Sequence, residues 1–333
     1  MTGASVRWLS VLVPLLLAAG SWPSGATGPP AGSWHHGEVT AGDRTMAYHL
    51  WEPGAPLSGQ APLVVMLHGC TQDGLEIAET TAWNDLADQE GFFVLYPDQD
   101  PAYNSDRCWN WFRPEHQQRG AGEPLLIATA TQGAIEQWPI DPERIYIAGA
   151  SSGGGMAPIL AATYPELYAG LGVAMGVEYR AASDLATAAY AQRFGGPDPD
   201  LAGRWAYEAA PAPEKMPTIV FHGGLDWVVA PVNGEQLVVQ WAQTNDLVDD
   251  GVDNDSVDAA ADAQRDGQVP GGHAYTVSCY HDAAGRPLLE HWGIPLMGHA
   301  WSGGPAGAPH TDPAGPDATR AMWDFWTGAA GGC

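Results

Sequence analysis

Basic side chains are scarce in this chain. Its 333 residues hold 13 Lys+Arg against 39 Asp+Glu, a formal net charge of −26, and Lys215 is the only lysine. A chain this acidic repels polyanions, which argues against nucleic acid and anionic membrane surfaces as partners. The acidity fits either compositional bias or adaptation to high salt. Long apolar runs are also missing. The longest, Leu9 to Ala19, is too short to span a bilayer and is broken by Pro14. Cysteine is sparse, at four residues. Hydrophobic content is not limiting: at 45% it is ample for a core, and the length suits one large α/β domain or two small ones.

The amino terminus reads as a secretory leader over residues 1–26. Arg7 supplies the positive region, Leu9 to Ala19 the apolar stretch, and Ser24-Gly25-Ala26 a small-residue cleavage site. No cysteine follows at a lipobox position, so release from the cell is expected rather than lipid anchoring. In an oxidising compartment an even cysteine count implies two disulfides, with three pairings open. Cys108 is well placed by topology to bond Cys70, which leaves Cys279 with Cys333.

Residues 27–333 read as a single domain whose fold begins near Gly37. Met46–Trp51, Pro62–Leu67, Phe92–Pro97, Ile145–Ile147, Gly170–Gly176, Met216–Gly223, Ala274–Tyr280 and Leu288–Trp292 are apolar or alternating runs of strand length. Helical patterns fall at Thr80–Gln89, Leu125–Gln137, Gly155–Tyr164, Gln236–Thr244 and Asp317–Thr327. This alternation predicts an α/β fold with a mostly parallel sheet and helices on both faces. Residues 181–213, rich in Ala, Gly and Pro, read as a partly helical cap or surface insertion. Asp246 to Gln268 is acidic and apolar-poor, predicting a solvated loop; its acids lack the spacing of an EF-hand, and no metal is expected.

The chemistry centres on Gly149-Ala150-Ser151-Ser152-Gly153, which fits G-x-S-x-G, the nucleophile elbow of α/β-hydrolases. A serine on a tight strand-to-helix turn leaves no room for side chains two positions away. Centring the motif on Ser152 would need glycine at Ala150, so Ser151 is the candidate nucleophile. Upstream, the apolar strand Pro62–Leu67 ends in His68-Gly69-Cys70. A loop of this kind donates one backbone N–H to an oxyanion hole, and the residue after the nucleophile donates the other; here these are Cys70 and Ser152. Downstream, Asp226 follows the next apolar strand and His299 lies in a glycine-flanked late loop, completing the order Ser, Asp, His. His222 and His291 read as structural, and His310 lies in a Pro-rich tail. The loop Arg107–Phe112 is dense in tryptophan, and Trp109, Trp111, Trp227 and Trp301 are the candidate substrate walls.

Together, Leu67-His68-Gly69-Cys70-Thr71-Gln72, Cys108-Trp109-Asn110-Trp111, the elbow, His222-Gly223-Gly224-Leu225-Asp226 and Gly298-His299-Ala300-Trp301-Ser302-Gly303-Gly304 resemble the poly(3-hydroxybutyrate) depolymerase-type esterases. The resemblance covers the whole mature chain. It implies an α/β-hydrolase fold and a secreted serine esterase with Ser151 as nucleophile, Asp226 as orienting acid and His299 as base. No cofactor is implied. The expected partner is a polymeric or oligomeric ester, met by a monomer. Relatives acting on feruloyl or acetyl esters of plant polysaccharides are the alternative, and a non-catalytic binding protein on a hydrolase fold is a remoter one. Many extracellular members carry a linker and a polymer-binding domain after the catalytic domain. This chain stops shortly after its closing helix, so short or soluble esters are expected ahead of crystalline polymer.

Overall fold

The computed structural model describes residues 5–7 and 31–329. In chain order its strands are β1 (Ser5–Arg7), β2 (Ser33–Ala41), β3 (Arg44–Glu52), β4 (Ala61–Leu67), β5 (Phe93–Pro97), β6 (Ile140–Ala150), β7 (Gly170–Ala174), β8 (Thr218–Gly223), β9 (Ala263–Gln268), β10 (Ala274–His281) and β11 (Pro287–Ile294). They form one sheet in the order β1-β2-β3-β5-β4-β6-β7-β8-β11-β10-β9. Its centre, from β5 to β11, is parallel. Antiparallel strands extend it at both edges. A two-stranded ribbon, β12 (Trp301–Ser302) with β13 (Thr311–Asp312), lies apart.

The helices are α1 (Gly74–Thr81), α2 (Trp83–Glu90), α3 (Gly122–Gln137), α4 (Ser152–Thr163), α5 (Leu185–Phe194), α6 (Pro199–Glu208), α7 (Val232–Asp250) and α8 (Ala318–Thr327). All seven residues of β4 are buried, as a central strand covered on both faces requires. Its side chains alternate between two cores. Leu63, Val65 and Leu67 pack with Leu126, Ile127 and Leu160 of α3 and α4. Val64 and Met66 join Ile77, Trp83, Met322 and Trp323 of α1, α2 and α8. In β7, Gly172 leaves room for α8, since a Cβ there would stand 2.8 Å from the Met322 sulfur.

The structure has the α/β-hydrolase architecture expected, with local differences. A strand precedes Gly37, because β2 starts at Ser33. The helix expected over Thr80–Gln89 is two, α1 and α2, separated at Ala82, whose φ of 54° is left-handed. β6 starts at Ile140, ahead of the run expected at Ile145–Ile147, and takes in Asp141–Arg144 at an irregularity in its pairing with β4. The stretch expected as an acidic loop from Asp246 begins inside α7 and ends in β9. Asp246 organises what lies between: its buried carboxylate accepts the N–H groups of Asn254 (3.1 Å), Ser256 (2.5 Å) and Val257 (3.3 Å). Residues 181–213 contain α5 and α6. Helix α6 packs closely on α7, where a Cβ on Gly203 would stand 2.7 Å from the Gln240 carbonyl.

Cys70 and Cys108 form a disulfide. Cys279 is also disulfide-bonded, and Cys333 lies outside the described residues, as does the expected leader apart from Ser5–Arg7. Among the described residues, no group of three or more His, Cys, Asp or Glu side chains could hold a metal ion, and no helix is long and apolar enough to cross a membrane.

Candidate active site

β6 turns into α4 at Ser151, whose φ of 55° and ψ of −116° are rare for a residue with a side chain. Such a conformation costs on the order of 1–3 kcal/mol and persists only where its surroundings enforce it. Enforcement is visible on both sides. Ser151 donates its N–H to the Ala174 carbonyl (3.0 Å), and its own carbonyl accepts from Gly155 (3.0 Å). A Cβ on Gly149 would collide with the Gly153 carbonyl, and one on Gly153 with the Leu67 and His68 carbonyls. The glycines two positions either side of Ser151 are therefore steric requirements of the turn.

β8 and β11 are parallel neighbours, so the loops leaving their carboxyl ends run side by side. Gly224 N–H donates to the Ile294 carbonyl (2.8 Å) and Leu225 N–H to that of Met297 (2.9 Å). Gly223 and Gly224 permit this approach, because a Cβ on either would strike the 295–298 backbone. Asp226 is thereby set beside His299. The carboxylate is fully enclosed. Its Oδ2 accepts from His299 Nδ1 at 2.7 Å, and its Oδ1 accepts the N–H groups of Val228 (2.9 Å) and Val229 (2.8 Å). That places the imidazole proton on Nδ1 and leaves Nε2 as an acceptor, 2.9 Å from Ser151 Oγ. Serine, histidine and acid thus form one continuous relay. His222, buried by α7, bonds through Nε2 to the Val229 carbonyl (2.9 Å) and steadies the loop that carries Asp226. His291 is half-buried in β11, and desolvation of its ring pushes the imidazole down to about 4, so it stays neutral; neither it nor the exposed His310 bonds to Ser151.

The loop after β4 rests against the elbow, where a Cβ on Gly69 would stand 3.4 Å from Ser151 Cβ. Gly69 N–H donates to Gln72 Oε1 (3.0 Å), and Thr71 N–H donates to the Asp106 carbonyl (2.7 Å) beside the Cys70–Cys108 disulfide. Burial lowers the His68 pKa, keeping its ring neutral: Nε2 accepts Gln99 N–H (3.0 Å) and Nδ1 faces the Gly69 carbonyl (2.7 Å). Among the described residues the N–H groups of Cys70 and Ser152 make no hydrogen bond. The Ser152 amide also belongs to the first turn of α4, where backbone donors lack intrahelical acceptors and the helix dipole favours negative charge.

Three of the four expected substrate walls lie elsewhere. Trp109 is fully buried, donating its indole N–H to the His68 carbonyl (3.1 Å). Trp111 is buried against Gly155, whose missing Cβ makes room for the ring. Trp301 is buried too, donating to Thr319 Oγ1 (3.1 Å). These rings brace the loops from behind. Trp227 alone is presented outward, at 78% exposure, and with Arg193, Phe194, Leu225 and Pro231 it lines a 260 Å³ cavity beside Asp226.

Sequence reasoning overlooked Glu123, a buried hub at the start of α3. It accepts Asn110 N–H (2.8 Å), Asn110 Nδ2 (2.5 Å) and Gln99 Nε2 (2.5 Å), holding the tryptophan loop against the segment that follows β5. Its one signal was a carboxylate two residues ahead of an apolar helix. Glu178, in the loop after β7, is a different case. It is buried, neither carboxyl oxygen has a partner among the described residues, and burial raises its pKa to about 9, with Asp198 adding to the shift. A folded-state pKa raised above the unfolded value near 4.5 gives stability that is complete below pH 4.5 and lost as pH climbs toward 9. Glu178→Gln removes that loss. Its thermal midpoint should exceed wild type at pH 8 by several degrees, roughly 5 kcal/mol, and the difference should vanish near pH 4.5. Parallel melting curves across this range would refute a buried neutral carboxyl.

A family model described as esterase PHB depolymerase matches residues 46–265. The chain is 34% identical over 249 residues to poly(3-hydroxyalkanoate) depolymerase C of Paucimonas lemoignei, covering 73% of this chain and 56% of that protein. It is 30% identical over 187 residues to poly(3-hydroxybutyrate) depolymerase of Ralstonia pickettii, covering 51% and 37%. An acetylxylan esterase of Coprinopsis cinerea is 32% identical over 151 residues, covering 43% and 40%. The chain thus spans about half the length, or less, of these curated relatives. Among solved structures, an acetyl xylan esterase from Aspergillus awamori superimposes with a TM-score of 0.66 at 23% identity, covering 79% of this chain and 93% of that one, which shows the shared fold.

Proposed function

We propose, from the premise that this chain belongs to the esterase PHB depolymerase family, that it is a secreted serine esterase cleaving polyester or oligoester bonds, foremost those of poly(3-hydroxybutyrate) or related hydroxyalkanoates. The observation that carries the reading is the relay from Asp226 through His299 to Ser151, at 2.7 and 2.9 Å. His299 Nε2 takes the Ser151 proton as Oγ attacks the ester carbonyl. The Cys70 and Ser152 N–H groups receive the oxyanion, each worth roughly 3–4 kcal/mol in the transition state. His299 then protonates the departing alcohol, and a water molecule repeats the cycle on the acyl-enzyme. Asp226 holds the imidazole in the productive tautomer throughout.

The leader-like residues 1–26 and the Cys70–Cys108 disulfide support secretion. Residues 27–333 act as one catalytic domain, a monomer, with Trp227 at the mouth of the site. A second reading, removal of acetyl or feruloyl groups from polysaccharide, draws on the likeness to the Coprinopsis acetylxylan esterase. The test sets amorphous polyhydroxybutyrate beside acetylated xylan and methyl ferulate, with the purified mature chain. Release of hydroxybutyrate upholds the proposal. Release of acetate or ferulate alone moves the chain to the carbohydrate esterases with the same relay. No turnover on any of them, with Ser151 unreactive toward an organophosphonate, would overturn both readings.

A further inference from the structure

Of the ten large apolar side chains exposed among the described residues, six gather around the relay. Trp227 (78%), Leu225 (45%) and Val228 (49%) flank Asp226; Leu296 (66%) precedes His299 by three residues; Tyr190 (62%) and Phe194 (68%) stand on α5. The backbone ties these segments into one face. Ala230 N–H donates to the Gln192 carbonyl (2.6 Å), docking α5 against the loop of Asp226, and Leu225 N–H donates to the Met297 carbonyl (2.9 Å). Tyr190 and Phe194 pack ring to ring at 5.0 Å, and Phe194 shares the 260 Å³ cavity with Leu225 and Trp227.

Charge marks the same face. The chain carries 39 acids in 333 residues, yet segments 185–194, 224–231 and 294–301 contain only one, Asp226, whose side chain is fully enclosed. The one cation in these segments, Arg193, makes no ion pair among the described residues, in a protein with acids to spare. An apolar face cleared of carboxylates, on a chain of net charge −26, does not match a charged partner. Water-soluble esters need no such rim. An uncharged surface of methyl, methylene and ester groups matches it, with the Arg193 guanidinium free to donate to ester carbonyls.

We propose that this face is an adsorption surface by which the catalytic domain itself settles on a water-insoluble aliphatic polyester, holding chain segments over Ser151. The proposal rests on the polyester reading above and extends it, because it assigns attachment to residues outside the relay. Adsorption is measured with Ser151→Ala, which separates attachment from cleavage, as depletion of protein from suspension by amorphous polyhydroxybutyrate particles, with cellulose particles as the control. Tyr190→Ser/Leu296→Ser in that background should bind the polyester at least tenfold more weakly. The same pair in active protein should keep kcat/KM on soluble p-nitrophenyl butyrate within about twofold. Both positions are exposed, so folding is expected to survive, and circular dichroism verifies it. Unchanged adsorption of the double variant, or equal wild-type binding to cellulose, would overturn the proposal. So would a concentration-dependent dimer that the double variant abolishes, since the face would then join two copies of this chain. Inactivity of wild type on p-nitrophenyl butyrate would instead sink the esterase reading, leaving the adsorption result to stand or fall by itself.

Discussion

Ser151→Ala should reduce kcat on a soluble ester by about 10⁵–10⁶-fold while leaving the melting temperature unchanged, and Ser151→Gly should be as inactive yet melt higher. The activity loss follows from deleting the hydroxyl oxygen that His299 Nε2 faces at 2.9 Å; removing a nucleophile that acts as a unit with its base costs about as much as removing the whole relay. The stability difference follows from the backbone. At a φ of 55° alanine carries the same steric penalty as serine, whereas glycine does not. Relief of roughly 1–3 kcal/mol is partly offset by the greater freedom glycine has in the unfolded chain, roughly 0.4–1 kcal/mol. A net gain of about 1 kcal/mol should raise the midpoint by about 2 °C. Calorimetry on the three proteins decides the matter. Equal melting of the alanine and glycine variants would mean that the elbow stores no strain, and residual turnover above about 1% in either would remove Ser151 from the chemistry.

What could be foreseen in the sequence was whatever is encoded over a few neighbouring residues. The elbow needs glycine at fixed offsets from Ser151, so it is readable as a string. β4 is apolar at every position from Ala61 to Leu67 because both of its faces are covered, and such a run has few other readings. β2 escaped notice at its start because it runs near the sheet edge: Ser33 to Gly37 holds two histidines and little apolar alternation. The break between α1 and α2 escaped because it falls at Ala82, where no Gly or Pro announces a left-handed residue.

The tryptophans were misread for a related reason. Arg107–Phe112 is polar in sequence and reads as a surface loop, but Glu123, thirteen residues after Asn110, satisfies the loop's polar groups from inside. Once Asn110 and Gln99 are bonded to a buried carboxylate, the indoles beside them are free to enter the core. Burial there depends on a partner that no local pattern identifies. The same holds for the apolar face of α5. Tyr190 and Phe194 fall in the stretch 181–213, which reads in the string only as a cap or surface insertion, and the packing of α5 beside the Asp226 loop is what shows them facing outward there.

Asp226→Asn should cost about 10⁴-fold in kcat with the structure of the site intact, and the reason lies in which atoms surround the carboxylate. Oδ1 accepts two N–H groups, from Val228 and Val229, and Oδ2 accepts from His299 Nδ1. An asparagine at this position has one acceptor oxygen and one amide donor, so its orientation is dictated. The oxygen must meet the two backbone N–H groups, because turning the NH₂ toward them would set donor against donor in a buried site. The NH₂ then faces His299 Nδ1, which can answer only as an acceptor, and the ring proton moves to Nε2. An imidazole with its proton on Nε2 cannot take another from Ser151, and in chymotrypsin-type proteases the equivalent change costs about four orders of magnitude. Asp226→Ala separates the tautomer effect from simple loss of the acid. Without an amide to impose the wrong tautomer, His299 is free to sample the productive one, and the alanine variant should outperform the asparagine variant on a soluble ester, despite losing more contacts. If asparagine proves the better of the two, the acid serves only to hold the imidazole in place, and the tautomer argument fails.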